Sequence, residues 1–285
     1  MITREEKNKE YIDEINKEKV INISKKVFHF FGIVLLLFFL VFVYIYYFGI
    51  KGLKVNEYVI KDSNIPKSFH GVKIMHFSDL LYGSTIHQNE IDKLEEKILL
   101  INPDIVIFTG NIINKDYKIT ESEIKYLNNF FNNIPYTIGK YAVKGNYDNP
   151  TFDLIMENTK FDILDNELIN VYNNTDEYID IIGLSNLLSE NLEIQKKDGE
   201  YSISLINNYD NYHMFYINSN IVCAGHNLGG EIRIFNYPLL KNGVYNNSYY
   251  EEKDSKIYIS NGLGSLHHMR LMNHPSINVY RLYTK

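Results

Sequence analysis

The segment PDIVIFTGN, residues 103–111, decides the fold of this 285-residue chain. It joins a short apolar run, rich in Ile and Val, to a polar Thr-Gly-Asn turn, which predicts a buried strand followed by a loop. Two other segments have the same form: VKIMHFSD, residues 72–79, and YAVKGN, residues 141–146. Three strands that each end in a polar turn predict a cluster of polar side chains at one edge of a sheet.

Helices are predicted between these strands. In residues 88–101, Ile and Leu recur at helical spacing on one face, and Pro103 ends the run. Thr120 and Glu123 form the capping-box pattern that begins a second helix. Strands that alternate with helices predict an α/β fold, in which a largely parallel sheet is covered by helices and ligands bind at the carboxyl ends of the strands.

The second half of the chain contains more predicted strands than helices. Glycine-rich turns at 229–230 and 262–264 separate some of them. Neither an internal repeat nor a low-complexity linker divides this part, so one domain is predicted. The predicted strands cover 178–184, 201–205, 220–224, 256–260 and 278–282.

An apolar segment at 27–50 predicts a transmembrane helix. It has no Asp, Glu, Lys or Arg and exceeds the about 20 apolar residues that a spanning helix needs. Basic residues are more numerous before the segment than just after it, so the positive-inside rule predicts a single-pass protein of the cell membrane with a cytoplasmic N-terminus and an extracytoplasmic C-terminal domain. The segment is too long for the apolar region of a cleaved signal peptide and lacks a small-residue cleavage site.

The predicted organisation has four parts. A charged tail at 1–26 precedes the transmembrane helix, a linker follows at 51–70, and a folded domain occupies 71–285. The formal net charge of −6 argues against a nucleic-acid partner, because such proteins carry a basic surface. Cys223 is the only cysteine, which excludes a disulfide framework and predicts a buried structural thiol.

Four short islands carry the sequence's functional signal. They are SDLL at 78–81, GNIIN at 110–114, GNYD at 145–148 and GHNL at 225–228. In order, spacing and placement, these islands resemble the ligand motifs of the calcineurin-like metallophosphoesterase family, in its membrane-anchored bacterial branch. The resemblance covers about 71–285 and implies a four-layer α/β/β/α sandwich.

The resemblance implies that three metal ligands are retained: Asp79, Asn146 and His226. Asn111 stands where the family has an Asp that bridges both metal ions, and Asn207 aligns best with the family's lone His ligand. A neutral amide is a far poorer bridge between divalent cations than a carboxylate. The amide of Asn111 at this bridging position therefore argues against a tightly bound pair of metal ions.

Other substitutions remove donors altogether. Leu81 and Leu228 replace two His ligands, and leucine cannot ligate a metal. Tyr147 stands at the family's catalytic His position, but the ordinary pKa of tyrosine, about 10, makes it a poor acid near neutral pH. No catalytic residue is therefore assigned. The remaining candidates near the pocket are Asp148, His267 and His268.

The preferred interpretation is a membrane-anchored, phosphoesterase-fold protein that is catalytically inactive and has a binding or scaffolding role. No cofactor is expected. The expected partners are the membrane, through 27–50, and a phosphorylated or polar small ligand; the sequence indicates no particular protein partner. The alternative is a metal-dependent phosphoester hydrolase with an atypical site, in which one weakly bound divalent ion (Mn, Fe or Zn) activates a water molecule.

Overall fold

An N-terminal helix and a separate α/β unit make up the chain. The computed structural model describes residues 4–148, 150–184, 199–212, 219–235 and 237–285. The first unit, Met1–Phe48, consists of helix α1 (Arg4–Val43) and a π-helical turn (Tyr44–Phe48). Its part Tyr11–Phe48 is long and apolar enough to cross a membrane, and none of its most apolar stretch is buried within the protein. The charged residues before position 27 continue the same helix.

Six strands form the first sheet of the second unit, Gly49–Lys285. They are β1 (Lys54–Asp62), β2 (Lys73–Phe77), β3 (Ile105–Phe108), β4 (Gly139–Ala142), β5 (Asp162–Ile163) and β14 (Ser276–Thr284). Their order across the sheet is β1-β14-β2-β3-β4-β5. Strands β2 to β5 are parallel, and β14 runs antiparallel to β2. The predicted parallel core is confirmed, and the carboxyl ends of β2, β3 and β4 lead into three of the islands.

A second sheet of six strands and a short hairpin follow. The sheet contains β6 (Glu167–Tyr172), β7 (Tyr178–Leu184), β8 (Ser202–Ile206), β9 (Ile221–Ala224), β12 (Tyr249–Glu252) and β13 (Ser255–Ile259), and the hairpin contains β10 (Arg233–Ile234) and β11 (Tyr237–Pro238). The order in the sheet is β12-β13-β9-β8-β7-β6. The fourth island, GHNL, follows β9 directly.

Apolar side chains on alternate faces of the strands assemble the layers. The helices are α2 (Gln88–Ile101), α3 (Glu121–Asn133), α4 (Pro150–Met156) and the short α5 (Tyr209–Tyr212). Met75 and Val106 of the first sheet pack with the buried faces of α2, α3 and α4. Ile74 and Ile107, on the opposite face, pack with the second sheet, where Cys223 is buried as predicted. Two sheets packed face to face, with helices outside, confirm the predicted mixed α/β sandwich.

Residues 51–70 are not the plain linker that the sequence analysis expects. They include β1, which pairs in parallel with β14 along its whole length at the edge of the first sheet. Most of its side chains are exposed or partly exposed, and Ile60 is the one that is buried. An edge strand with Lys, Asn and Glu lacks the apolar pattern that marks an interior strand. Its partner lies more than 200 residues away, so local sequence could not indicate the pairing.

His76 of β2 is a buried core histidine. Its Nδ1 lies 3.1 Å from the Tyr280 hydroxyl, and its Nε2 lies 3.0 Å from the Thr109 hydroxyl. Burial lowers the pKa of His76 to about 3. The ring is therefore neutral in the folded protein and belongs to the interior between the sheets.

We expect His76 to make the chain less stable at pH 5 than at pH 7. Its folded pKa lies below the ordinary value of 6.5, so over this range the unfolded chain takes up a proton that the folded chain does not. This contribution of His76 to the free energy of unfolding is present above the pKa of the unfolded chain and is lost as the pH is lowered. At pH 5 the loss is roughly 2 kcal/mol. Urea unfolding of the full chain in detergent micelles measures it. The H76Q variant is the matched control, and an equal pH dependence in both proteins would contradict this assignment.

Candidate functional site

The carboxylate of Asp79 is buried at the end of β2 and accepts three hydrogen bonds. The donors are Ser78 Oγ at 2.5 Å, Asn111 Nδ2 at 2.7 Å and the backbone N–H of His226 at 2.9 Å. These donors come from the loops after β2, β3 and β9, so the carboxylate joins the ends of both sheets. Burial raises the pKa of Asp79, and the hydrogen bonds from Ser78 and Asn111, with the proximity of His226, oppose that rise.

Asn111 links Asp79 to the loop after β4. Its Nδ2 donates to Asp79, and its Oδ1 accepts the backbone N–H of Tyr147 at 2.9 Å. An ionised aspartate at this position could accept from Tyr147 but could not donate to Asp79. The amide therefore satisfies the buried carboxylate through the protein itself.

Asn207 and Asn146 meet at the same edge of the two sheets. Asn207 is buried; its Nδ2 donates to the Thr109 carbonyl at 2.6 Å, and its Oδ1 accepts the backbone N–H of Asn146 at 3.0 Å. The structure thus places both residues near Asn111. The side chain of Asn146, however, is exposed, so this residue contributes its backbone N–H to the cluster.

The rings of Tyr147 and His226 lie next to each other, with centroids 5.4 Å apart. Burial lowers the pKa of His226, although the charges of Asp79 and Asp210 oppose the change. The Nδ1 atom of His226 is buried without a hydrogen-bond partner among the described residues. Burial, Asp79 and Glu231 all raise the pKa of Tyr147. Its hydroxyl is therefore a weaker acid than that of an exposed tyrosine.

Leu81 and Leu228 are buried beside this cluster in left-handed backbone conformations, with φ of 45° and 52°. That conformation costs a leucine about 1–2 kcal/mol. Leu228 packs so closely on Gly262 that an added Cβ there would lie 2.3 Å from its Cδ2. The left-handed geometry recurs at the neighbouring ligand positions, at Asp79, Asn111 and His226. The backbone is therefore left-handed at all five of these positions.

Asp148 joins two loops through backbone contacts. Its carboxylate accepts the N–H groups of Asn111, Ile112 and Gly145 at 2.7–2.8 Å. Burial raises the pKa of Asp148 to about 6, and these three donors oppose the rise. Asp148 therefore positions the loops after β3 and β4 with both of its oxygens engaged.

Glu231 is a site residue that the sequence analysis did not single out. Its buried carboxylate accepts Ser265 Oγ at 2.5 Å and the backbone N–H of Leu266 at 2.6 Å, and His267 Nδ1 lies 2.5 Å from its other oxygen. His268 lies partly buried in the same loop. In the sequence, Glu231 stands between Gly230 and Ile232, and Arg233 follows, so no apolar run marked it as a buried carboxylate.

Arg270 is buried behind Asp79. Its guanidinium donates to the carbonyl oxygens of Asn261 at 2.7 Å, Gly264 at 2.6 Å and Asn273 at 3.2 Å. Burial lowers the pKa of Arg270 to about 10, and the charges of Glu231 and Asp79 oppose that change. Arg270 therefore stays a cation that shapes the 261–264 loop over Asp79.

The donor set does not fit a pair of divalent ions. Within the described parts of the chain, no three His, Cys, Asp or Glu side chains form a group that could hold a metal. Two such ions bring about +4 of charge and need several anionic oxygens and imidazoles. The Asp79 carboxylate is engaged by protein donors, and leucine occupies two nearby positions. Among the described residues, His226 Nδ1 and Asn227 Oδ1 of the fourth island are buried without a hydrogen-bond partner, and the imidazole nitrogen is the better ligand for a single ion.

Comparison with known proteins assigns the fold and the islands to one family. Residues 72–275 match the family model described as calcineurin-like phosphoesterase. The chain belongs to the calcineurin-like phosphoesterase family. The relationship predicted from the four islands is thereby confirmed, and members of this family usually use divalent metal ions.

Three bacterial relatives show how far the similarity extends. An uncharacterized metallophosphoesterase of Campylobacter jejuni is 27% identical over 75% of this chain, which spans 59% of that protein's length. The uncharacterized metallophosphoesterase YkuE of Bacillus subtilis is 28% identical over 81% of this chain and 85% of its own length. The UDP-2,3-diacylglucosamine pyrophosphatase LpxG of Chlamydia trachomatis is 21% identical over 76% and 86%.

We expect the N111D substitution to destabilise the metal-free chain by about 3 kcal/mol at pH 8. It removes the donor 2.7 Å from Asp79 and places two carboxylates in contact. The loss should shrink at pH 5, because such a pair takes up a shared proton. Chemical unfolding in detergent micelles with a chelator measures both values.

The exchanged double variant D79N/N111D is the control for this test. It restores one amide facing one carboxylate, so most of the lost stability should return. A single N111D variant as stable as the native chain at pH 8, without metal, would show that this hydrogen bond does not hold the site together.

Proposed function

We propose that this chain is a membrane-anchored member of the calcineurin-like phosphoesterase family that binds a ligand or scaffolds a partner and does not hydrolyse phosphoesters. The observation that carries the proposal is the state of the Asp79 carboxylate. Ser78, Asn111 and the backbone of His226 satisfy it, and a carboxylate with these partners has no need of a cation. The residue that resembles a metal ligand thus acts as a structural acceptor.

The proton-transfer groups support the same proposal. Tyr147 holds the position that the family's catalytic His would occupy, and its raised pKa makes proton donation near neutral pH unfavourable. His226 is neutral because burial lowers its pKa. A site without a metal-activated water and a proton donor would lack both the nucleophile and the leaving-group acid for phosphoester hydrolysis.

The anchor is proposed to be α1 with its π-helical end. Tyr11–Phe48 has the length and composition of a membrane span. The excess of Lys and Arg before the apolar segment favours a cytoplasmic N-terminus and an extracytoplasmic phosphoesterase-fold unit.

The charged side chains at the site limit the kind of ligand that it can bind. Asp79, Asp148 and Glu231 bring three carboxyl groups to the site, whereas Arg270 is occupied with backbone carbonyls. A phosphate group without a metal ion would meet more negative than positive charge. We propose that the cleft takes a neutral polar group, and that it binds a phosphorylated ligand only together with a divalent cation.

A hydrolase with a single ion is the second candidate. His226 Nδ1 favours it, because a buried imidazole nitrogen without a partner is a ready metal ligand. The relationship to LpxG also favours it, since that protein's name describes cleavage of a pyrophosphate in a diacylated sugar nucleotide. The substrate in this reading is a phosphoester such as a lipid head group or a nucleotide.

Measurements of bound metal and of phosphodiester turnover distinguish the non-hydrolytic binding protein from the single-ion hydrolase. We expect the full chain, dialysed in micelles against Mn²⁺, Fe²⁺ or Zn²⁺, to retain well under one ion per molecule and to leave bis(p-nitrophenyl) phosphate intact. Stoichiometric metal, together with turnover that D79A and H226A abolish, would establish the hydrolase.

A restored variant is the matched control for this experiment. The L81H/N111D/L228H chain puts ligands back onto a backbone that is already left-handed at all three positions. It should retain more Mn²⁺ than the native chain by tenfold or more, which shows that the assay detects a competent site.

A further inference from the structure

An exposed apolar face surrounds the β10–β11 hairpin. Phe235 and Tyr237 are 77% and 78% exposed, and Met272 is 55% exposed. All three line one groove, together with Lys54 and His274. Large apolar side chains gathered on an exposed surface mark a binding site for a protein or a membrane.

The hairpin is held by a hydrogen-bonded base, so its apolar residues project from an ordered platform. Arg233 donates to the carbonyl oxygens of Gly229 at 2.5 Å and Asn246 at 2.6 Å. The backbone N–H of Leu239 donates to the Ile232 carbonyl at 2.8 Å. Leu239 is itself exposed and extends the apolar face beyond the hairpin.

This face lies beside Lys51 and Lys54, which follow the apolar helix closely in the sequence. His274 Nδ1 is 3.4 Å from the Lys51 carbonyl, and the backbone N–H of Lys54 donates to the Pro275 carbonyl at 2.9 Å. Residues 49–53 alone connect the helix to β1, and five residues span at most about 18 Å. A bilayer that holds the helix is therefore always within reach of these residues.

The groove has the chemistry of a lipid-binding surface. The described residues that line it include the cation Lys54 and no Asp or Glu; Arg233 also lines it, but its guanidinium donates to the carbonyl oxygens at the base of the hairpin. Lysine and arginine attract the phosphates of anionic lipids, and tyrosine prefers the boundary between head groups and acyl chains. A water-soluble protein partner would not require this mixture beside the exit of an apolar helix.

We propose that the hairpin face, formed by Phe235, Tyr237, Leu239 and Met272 with Lys54 beside them, docks on the surface of the lipid bilayer that holds α1. This inference rests on the proposed anchor. Docking fixes the orientation of the phosphoesterase-fold unit at the membrane, independently of whether its cleft hydrolyses or only binds.

A single tryptophan tests the contact, because the chain contains none. We expect the fluorescence of F235W, in full chain reconstituted into vesicles of phosphatidylcholine and phosphatidylglycerol, to fall at least twofold when the acyl chains are brominated near the head group. Y237W is a second probe of the same face. The control is Y172W, on β6, where Tyr172 is also an exposed aromatic at 53%; its fluorescence should change by less than a fifth.

A fourth probe, F38W in α1, separates the two proposals. If bromine quenches F38W while F235W and Y237W behave like Y172W, the helix is inserted and the docking proposal is wrong. If F38W is not quenched, the anchor fails and the docking proposal fails with it. Blue-shifted emission of F235W without bromine quenching would show a protein partner or a second copy on this face, which also overturns the proposal.

Discussion

The structure of the cleft depends on the buried carboxylate of Asp79. A carboxylate removed from water must find hydrogen-bond donors or a cation, and in this chain the donors come from Ser78, Asn111 and the backbone of His226. Each donor lies in a different loop, and the loops belong to both sheets. The single acceptor therefore fixes the edges of the two sheets against each other and sets the positions of the other polar residues.

Hydrogen-bond donors of the protein also surround the two other carboxylates of the site. Asp148 is surrounded by backbone N–H groups, and Glu231 is held by Ser265, Leu266 and His267. Protein donors thus satisfy the hydrogen-bonding capacity of all three carboxylates.

The loops around Asp79 also contain an unusual backbone conformation. Leu81 and Leu228 keep a left-handed conformation that leucine disfavours, and their side chains are buried between the loops. Close packing on Gly262 and the hydrogen bonds around Asp79 hold that conformation. The loops around Asp79 therefore keep this backbone conformation with apolar side chains packed between them.

The sequence by itself determined the strands that end in polar turns, the helices between them, the apolar N-terminal helix and the family, because these depend on local periodicity and on short motifs. It predicted that Asp79, Asn111 and Asn146 lie at one edge, since parallel strands bring their carboxyl ends together. Only the tertiary structure decided that β1 joins the sheet, that Glu231 faces inward to His267, and that the side chain of Asn146 faces solvent. Those outcomes depend on contacts between residues far apart in sequence, which no local pattern encodes.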